Sequence, residues 1–573
     1  MKYFWAMTKV TNKKTMKHLK LIILIALQCA FTISHCQTTL PRDVADAFGN
    51  LYVYHNNRVC PMQTLARDFT IKLTGKPTYK DFTAEQVLTG FIFYYDEWAQ
   101  EPMLKIKGKE VRQQLAINGK YANMNDFVSN RGYKLTGTQG KNYSAADEKY
   151  NLALMNATGS LLRIFPYNAL DTKHKTQDTL SNCPPELGGR AKRRGSVNPS
   201  SSINWFSPTD NLPIDMPEAQ SLFVRKSMNL AANYIAHGQY AETIDLLNKI
   251  RLYQDQQLGS AAPSNVRIQT ERIYNHFNYN RLFAIILMIF GIITFIIHNI
   301  TTNRILTILE WIVITFALLY LATSITLRGI IAGHFPVSNG FETMQFLALI
   351  AALIPFISLL KSKKQSKTNN SQNPILNSQF SILNSIIPHS SLICGIALMV
   401  ATMSELNPRI TQLMPVLQSP LLSIHVMVIM ISYALFALLA LNSISNLIKE
   451  KFSKNKLTQY SPPVLGGVRE TEGGLLLTPN LSLLTLSLFL LTAGIFIGAI
   501  WANMSWGRYW GWDPKEVWAL ITMLIYSLPL HRASLPIFRN PRFLNWYFIL
   551  AFLSVIITYF GVNFLLGGFH SYA

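Results

Sequence analysis

The chain has 573 residues, of which 49% are hydrophobic and only 14% are charged. Its formal net charge is +22, which in a soluble chain would suggest nucleic-acid binding. Much of the basic excess lies in loops between long apolar runs, as the positive-inside rule of membrane proteins requires. We therefore expect a lipid bilayer, and no nucleic acid, as the partner of these charges.

The N-terminus carries Lys9, Lys13, Lys14, Lys17 and Lys20 before the short apolar run 21–33. A basic segment before a short apolar one is typical of an export signal. We assign it to residues 1–36, either cleaved or kept as an anchor.

Five cysteines occur without a CxxC or CxxCH motif. This spacing indicates neither a redox pair nor covalent haem attachment to this chain. Cys60 and Cys183 could form a disulfide if their region is exported. Two unpaired thiols are an equal alternative.

Residues 37–278 are predicted to form one exported soluble domain of mixed, partly helical structure. Thr83–Gln100 and Pro217–Gln256 have helical periodicity. Ala231–Leu247 resembles a single tetratricopeptide-like helical hairpin, but no repeat at that period follows, which argues against a solenoid. Asn182–Ser202 is rich in Gly, Pro, Arg and Ser and is predicted to be a loop. We expect this domain to support or recognise a partner.

Residues 279–573 are predicted to form a polytopic α-helical membrane domain. About eight apolar runs approach the roughly 20 residues that cross a bilayer: 281–300, 306–326, 343–360, 383–402, 422–446, 481–501, 516–531 and 543–564. Basic clusters fall in alternate loops, and this pattern predicts a cytoplasmic N-terminus and an exported soluble domain. The clusters are Lys361, Lys363, Lys364 and Lys367; Lys449, Lys451, Lys454 and Lys456; and Arg532, Arg539 and Arg542.

The segment Trp506–Glu516 (WGRYWGWDPKE), called here the aromatic loop, separates two of these runs. Its tryptophans could hold a large flat molecule at the membrane surface. His425 and His570 lie at the same predicted depth on different spans. Two neutral imidazoles can bind one haem iron from both sides, although either histidine alone is better explained by a structural role.

Charged residues near the aromatic loop have two possible roles. Arg508 and Lys515 could bind haem propionates, or could pair with acidic side chains or lipid phosphate. For Arg328 and Arg409 such pairing is the favoured interpretation. Asp513 and Glu516 could be an acid/base pair, but beside Pro514 they more readily cap a helix.

Three further histidines lie near the predicted inner face. His531 and His298 could form a second haem site there, and His389 is a third candidate. The pairing of His531 with His298 rests only on similar depth.

The run WGRYWGWDPKEVWALITMLIYSLPLH resembles the WWD signature of haem-handling proteins, most closely the CcsA (ResC) branch of System II cytochrome c biogenesis. Three other stretches match the same family: RGIIAGHFPVSNGFE, MPVLQSPLLSIHV and FGVNFLLGGFHSY. The resemblance covers roughly residues 320–573. The front half more weakly resembles the exported region of longer, Bacteroidetes-type versions.

The resemblance implies that haem b is held on the periplasmic face of the bacterial inner membrane. The implied haem-binding residues are His425, His570, Trp506, Trp510, Trp512, Asp513, Arg508 and Lys515, with His531 as the transmembrane histidine. It also implies attachment of haem vinyl groups to the CxxCH thiols of an apocytochrome c, together with a ResB (CcsB) partner. No catalytic residue of the chain itself is implied. A haem exporter without attachment activity is the alternative, and a membrane scaffold is less favoured.

Overall fold

A computed structural model describes residues 39–130, 132–168, 203–277, 280–301, 303–368, 374–403, 408–413, 415–454 and 472–566. The predicted export signal, Cys183, the loop Asn182–Ser202 and His570 lie outside the described residues. The chain divides into two compact units, Met1–Ser264 and Asn265–Ala573. This division comes earlier than the predicted boundary at residue 278.

The first unit mixes helices with short antiparallel hairpins. Its helices are α1 Arg42–Gly49, α2 Met62–Thr74, α3 Ala84–Phe93, α4 Tyr95–Trp98, α5 Lys109–Leu115, α6 Lys141–Ala157, α7 Glu218–Ala236 and α8 Tyr240–Leu258. The strand pairs are β1 Tyr52–His55 with β2 Arg58–Pro61, β3 Leu104–Lys105 with β4 Tyr121–Ala122, β5 Val128–Ser129 with β6 Gly132–Tyr133, and β7 Phe165–Asn168 with β8 Ile203–Phe206. One continuous apolar core joins the helices to the hairpins.

Both helical predictions for this unit correspond to observed helices. Thr83 caps α3 by accepting from the amide of Gln86, and the Gln86 side chain accepts from the Thr83 amide in return. The predicted hairpin is formed by α7 and α8, which turn at Gly238 with φ of 69°. Glycine suits that turn because other residues rarely adopt a positive φ. Cys60 is buried, and its Sγ donates to the carbonyl of Val53.

Among its described residues, the second unit consists of helices and the loops that connect them. Its helices are α9 Asn265–Phe277, α10 Asn280–Ile300, α11 Arg304–Ala332, α12 Gly340–Thr368, α13 Pro374–Ala401, α14 Pro420–Lys454, α15 Glu472–Trp506, α16 Pro514–Ser527 and α17 Pro541–Ile556. A π-helical segment, Ile557–Leu566, continues α17.

Among the described residues, six helices are long and apolar enough to cross a membrane. They are Asn280–Ile300, Arg304–Ala332, Gly340–Leu360, Pro420–Lys451, Asn480–Trp506 and Pro541–Leu565. The predicted run 383–402 corresponds to the C-terminal part of α13, and the run 516–531 corresponds to the shorter helix α16. The polytopic α-helical fold is thus confirmed, with six helices of spanning length among the described residues.

Glycines allow some of these helices to approach closely. A Cβ on Gly291 of α10 would lie 2.7 Å from the Cα of Leu392 on α13, and a Cβ on Gly395 would lie 2.5 Å from the amide nitrogen of Met288. Small residues serve this purpose at many membrane helix contacts, where dispersion replaces the hydrophobic effect as the driving force.

Candidate functional site

A cavity of about 250 Å³ opens at one end of the second unit. Its wall is formed by the loop after α11, the first turns of α12, α14 and α16, the last turns of α15, part of the aromatic loop, and the π-helical segment. The polar side chains that line it include His334, Thr343, His425, Lys515, Glu516, Tyr559 and Asn563. A largely apolar wall with a few convergent polar groups is the usual construction of a ligand site.

His425 lies in the second turn of α14 and contributes to the cavity wall. Its Nδ1 donates to the backbone carbonyl of Gly494 on α15 over 2.7 Å. In a neutral imidazole this bond places the proton on Nδ1 and leaves the lone pair on Nε2. The side chain is therefore held in the tautomer that can ligate iron through Nε2.

The tryptophans of the aromatic loop do not share one surface. Trp510 lines the cavity, together with Trp501 of α15, which the sequence analysis did not single out. The Trp506 ring packs edge-on against that of Trp501, with 5.0 Å between their centroids. Trp506 thus does not line the cavity itself but packs against Trp501, which does.

Trp512 points away from this wall. Its side chain is 73% exposed, and its ring meets that of Trp510 edge-on with 6.1 Å between the centroids. The backbone of Trp512 has φ of 55°, a left-handed conformation that a bulky residue adopts only under constraint. The three tryptophans that the sequence predicts to hold one flat molecule therefore do not act together: Trp510 lines the cavity, whereas Trp506 and Trp512 lie outside its lining.

A capping box holds the aromatic loop in this shape. Asp513 is the N-cap of α16, with Pro514 in the first turn, and the Glu516 side chain accepts from the amide of Asp513. Glu516 also accepts from the amide of Gly511 over 2.7 Å. These bonds fix the backbone on both sides of Trp512, and they confirm the predicted capping role of the two acids.

Lys515 and Arg508, the two predicted propionate ligands, lie in different environments. Lys515 lines the cavity, where its Nζ donates to the Oδ1 of Asn563 over 3.2 Å. Burial lowers the pKa of Lys515, while the nearby Asp513 carboxylate opposes the shift. Arg508 is exposed, and its guanidinium lies beside Gly511, outside the cavity wall.

A buried ion pair anchors the loop that carries His334. The Nε of Arg328 donates to the Oε1 of Glu342 over 2.6 Å, and both side chains are almost fully buried. The other carboxylate oxygen accepts from the amide and the hydroxyl of Ser338. The favoured pairing of Arg328 is thus confirmed, and it places the loop 333–339 against the cavity.

The candidate inner histidines are not joined by the described contacts. His531 is exposed, and its Nδ1 donates to the carbonyl of Ser527 over 3.2 Å. His298 is buried at the end of α10. His389 is buried on α13, where its Nε2 shares a 2.8 Å hydrogen bond with the hydroxyl of Ser445.

Several cavity residues carried no signal that the sequence analysis could use. His334 lies within a quoted family stretch, where no role was assigned to it. Tyr433, Tyr559 and Asn563 sit in apolar spans and resemble ordinary interfacial residues. Gly498 has no side chain that would mark it as a site residue in the sequence. It lines the cavity because α14 and α15 approach each other closely at this position.

Comparison with known proteins gives a consistent family match. The profile described as Cytochrome C assembly protein matches residues 337–570. Protein NrfI of Wolinella succinogenes is 29% identical over 569 residues, which cover 93% of this chain but only 55% of that protein. Cytochrome c biogenesis protein CcsA of Arabidopsis thaliana is 32% identical over 43% of this chain and 80% of its own length. CcsA of Prochlorococcus marinus is 35% identical over 47% of this chain and 84% of its own length.

Proposed function

This chain belongs to the CcsA-type cytochrome c assembly family, and from that premise we propose that its cavity binds haem and presents it to an apocytochrome c. The observation that carries the proposal is His425 on the cavity wall, with its Nδ1 committed to the carbonyl of Gly494. Metal-ligating histidines almost always donate their second ring nitrogen in this way, which fixes the tautomer and raises ligand basicity.

The other cavity residues suit a flat, anionic tetrapyrrole. The rings of Trp501 and Trp510 supply apolar wall. Lys515 supplies a cation within the same cavity, suited to a propionate carboxylate. Thr343 and Tyr559 hydrogen-bond to each other through their hydroxyl groups at 2.7 Å, so their polar atoms are satisfied without ligand. His570 remains the predicted second iron ligand.

The reaction we propose needs no nucleophile from this chain. Each CxxCH thiol of the substrate adds across one haem vinyl group, so that a C–S bond forms and the thiol proton passes to the other vinyl carbon. No electron is gained or lost overall. The chain's residues bind and orient the haem, while the apocytochrome brings both sulfur atoms.

The charge pattern and the family support a proposed setting for this reaction. We place the cavity at the periplasmic face of a bacterial inner membrane, opposite the basic loops. A ResB (CcsB)-like membrane protein is the proposed partner. Haem b is the proposed substrate, because its vinyl groups are the ones converted to thioethers.

Haem binding and attachment can be tested together. The chain would be co-expressed with a CxxCH reporter, with and without a ResB-like protein, in cells that lack their own assembly system. We expect a bis-imidazole haem spectrum in the purified protein and covalent haem on the reporter. His425→Ala should lose both, whereas His276→Ala, an exposed histidine of α9, should lose neither. Unchanged haem binding in His425→Ala would refute the site. Haem export without attachment to the reporter would favour the exporter alternative.

A further inference from the structure

We propose that Gly498 is a positioning residue that sets the ring of His425 for haem. The inference rests on the proposed function, since it assigns Gly498 a task only if His425 ligates iron. It concerns α15, whose glycines at 494 and 498 lie one helical turn apart and face α14.

The contact between Gly498 and His425 is direct. A Cβ built on Gly498 would lie 2.6 Å from the Cε1 of His425, 2.7 Å from its Nδ1 and 3.2 Å from its Nε2. These are the three nearest atoms to that Cβ, and all belong to the imidazole. Real Cβ atoms essentially never approach another heavy atom this closely. Any residue larger than glycine at 498 must therefore turn the ring away.

Gly494, one helical turn earlier on α15, also contacts this face of α14. Its carbonyl oxygen accepts the proton of His425 Nδ1. Its own missing side chain leaves room for Ile429, since a Cβ at 494 would lie 2.5 Å from the Cδ1 of that residue. His425 and Ile429 are four residues apart and share one face of α14. The two glycines therefore receive two consecutive side chains of the same helix face.

The two glycines restrain different features of the imidazole. The Gly494 carbonyl selects the tautomer, and the bare Cα of Gly498 permits the ring plane that makes this bond. A ring displaced by a methyl group at 498 would lengthen the Nδ1 bond and turn Nε2 from its present direction. Loss of an outer-shell partner of a ligating histidine typically weakens metal binding roughly 10- to 100-fold.

The first measurement is haem affinity of the full-length protein in detergent. Gly498→Ala should bind haem about 10- to 100-fold more weakly than wild type, with a shifted Soret band and loss of the bis-imidazole signature. Gly395→Ala is the matched control, because it crowds a backbone contact between α13 and α10 away from the cavity. It should lower thermal stability while the folded protein retains wild-type haem affinity and spectrum.

The second measurement is a double-mutant cycle on thermal stability without haem. Gly498→Ala should lower the unfolding temperature when His425 is present. Gly498→Ala should not lower the unfolding temperature in the His425→Ala background, because the imidazole atoms that it would meet are gone and alanine is otherwise the better helix former. A substitution that merely disturbed helix packing would lower stability in both backgrounds.

Each result decides the inference. Wild-type affinity and spectrum in folded Gly498→Ala would overturn it. If Gly498→Ala does not fold, recovery in the double variant supports the ring contact, and failure of the double variant overturns it. If wild-type protein binds no haem, or if His425→Ala binds it normally, the proposed function is wrong. The double-mutant cycle is measured without haem, so it tests the contact between Gly498 and the His425 ring separately from that result.

Discussion

Replacement of Arg328 by methionine should be among the most damaging changes in the membrane unit. Arg328 is 0% exposed and Glu342 is 2% exposed, so neither charge can be hydrated once the other is removed. Truncation of one partner of a buried ion pair costs about 3–5 kcal/mol. The cost arises because the remaining charge keeps its burial and loses its counter-charge.

The surrounding contacts place Arg328→Met toward the upper end of that range. The guanidinium also donates to the Tyr274 hydroxyl and to the carbonyls of Pro408 and Arg409. All three acceptors lose a donor in the variant. Tyr274→Phe removes only one of these bonds, a 3.3 Å contact, and should cost about 1 kcal/mol.

The assay is unfolding in mixed detergent with increasing SDS, followed by circular dichroism. We expect Arg328→Met to lose several times the free energy lost by Tyr274→Phe. Haem affinity should fall as well, because Glu342 holds Ser338 and with it the loop that carries His334. A loss no larger than that of Tyr274→Phe would refute the assignment of Arg328 and Glu342 as a buried charge pair.

Three further predictions test other parts of the chain. Burial lowers the pKa of Lys515, so wild-type haem affinity should decline with rising pH below the ordinary lysine value of about 10.4. Lys515→Arg should flatten that decline in a haem titration across pH, and an equal decline in both proteins would contradict the role. Trp512→Asn should raise the free energy of unfolding by about 1 kcal/mol by relieving its left-handed backbone, whereas a stability loss would show that the edge contact between the rings of Trp512 and Trp510 contributes more than the backbone strain costs. Burial is the main cause that lowers the pKa of Lys149 to about 8 in the folded protein. Between pH 8 and the ordinary lysine value of about 10.4, the unfolded chain therefore binds more protons than the folded one. The free energy of unfolding should rise with pH in that range. Lys149→Met should therefore stabilise the protein most below pH 8, and a gain that does not shrink above pH 8 would contradict this reasoning.

Local signals in the sequence predicted local structure well. Asp513, Pro514 and Glu516 were expected to cap a helix, and they do, because capping bonds act within a single turn. The helical hairpin of the first unit and the polytopic helical fold also followed from periodicity and run length. Of the predicted runs, 516–531 corresponds to a helix of only 14 residues, Pro514–Ser527, which is short for a membrane span.

The orientation of side chains around the cavity could not be predicted in the same way. Trp510 and Trp512 are two residues apart in one motif, yet only Trp510 lines the cavity. The two residues differ in backbone conformation: Trp512 has a positive φ, and the amides of the residues on either side of it donate to Glu516. A motif reports which residues are near the site, whereas the backbone conformation decides which of them face it.

The supports of this site escape sequence reasoning for a related reason. His425 donates to a backbone carbonyl, and Arg328 donates to two more. Every residue type has a backbone carbonyl, so the sequence does not indicate which residue accepts such a hydrogen bond. At Gly494 and Gly498 the residue type matters only through the side chain that is missing. Substitutions that add atoms at these glycines should therefore disturb His425 more than substitutions that remove atoms from the cavity wall, such as Ile429→Val.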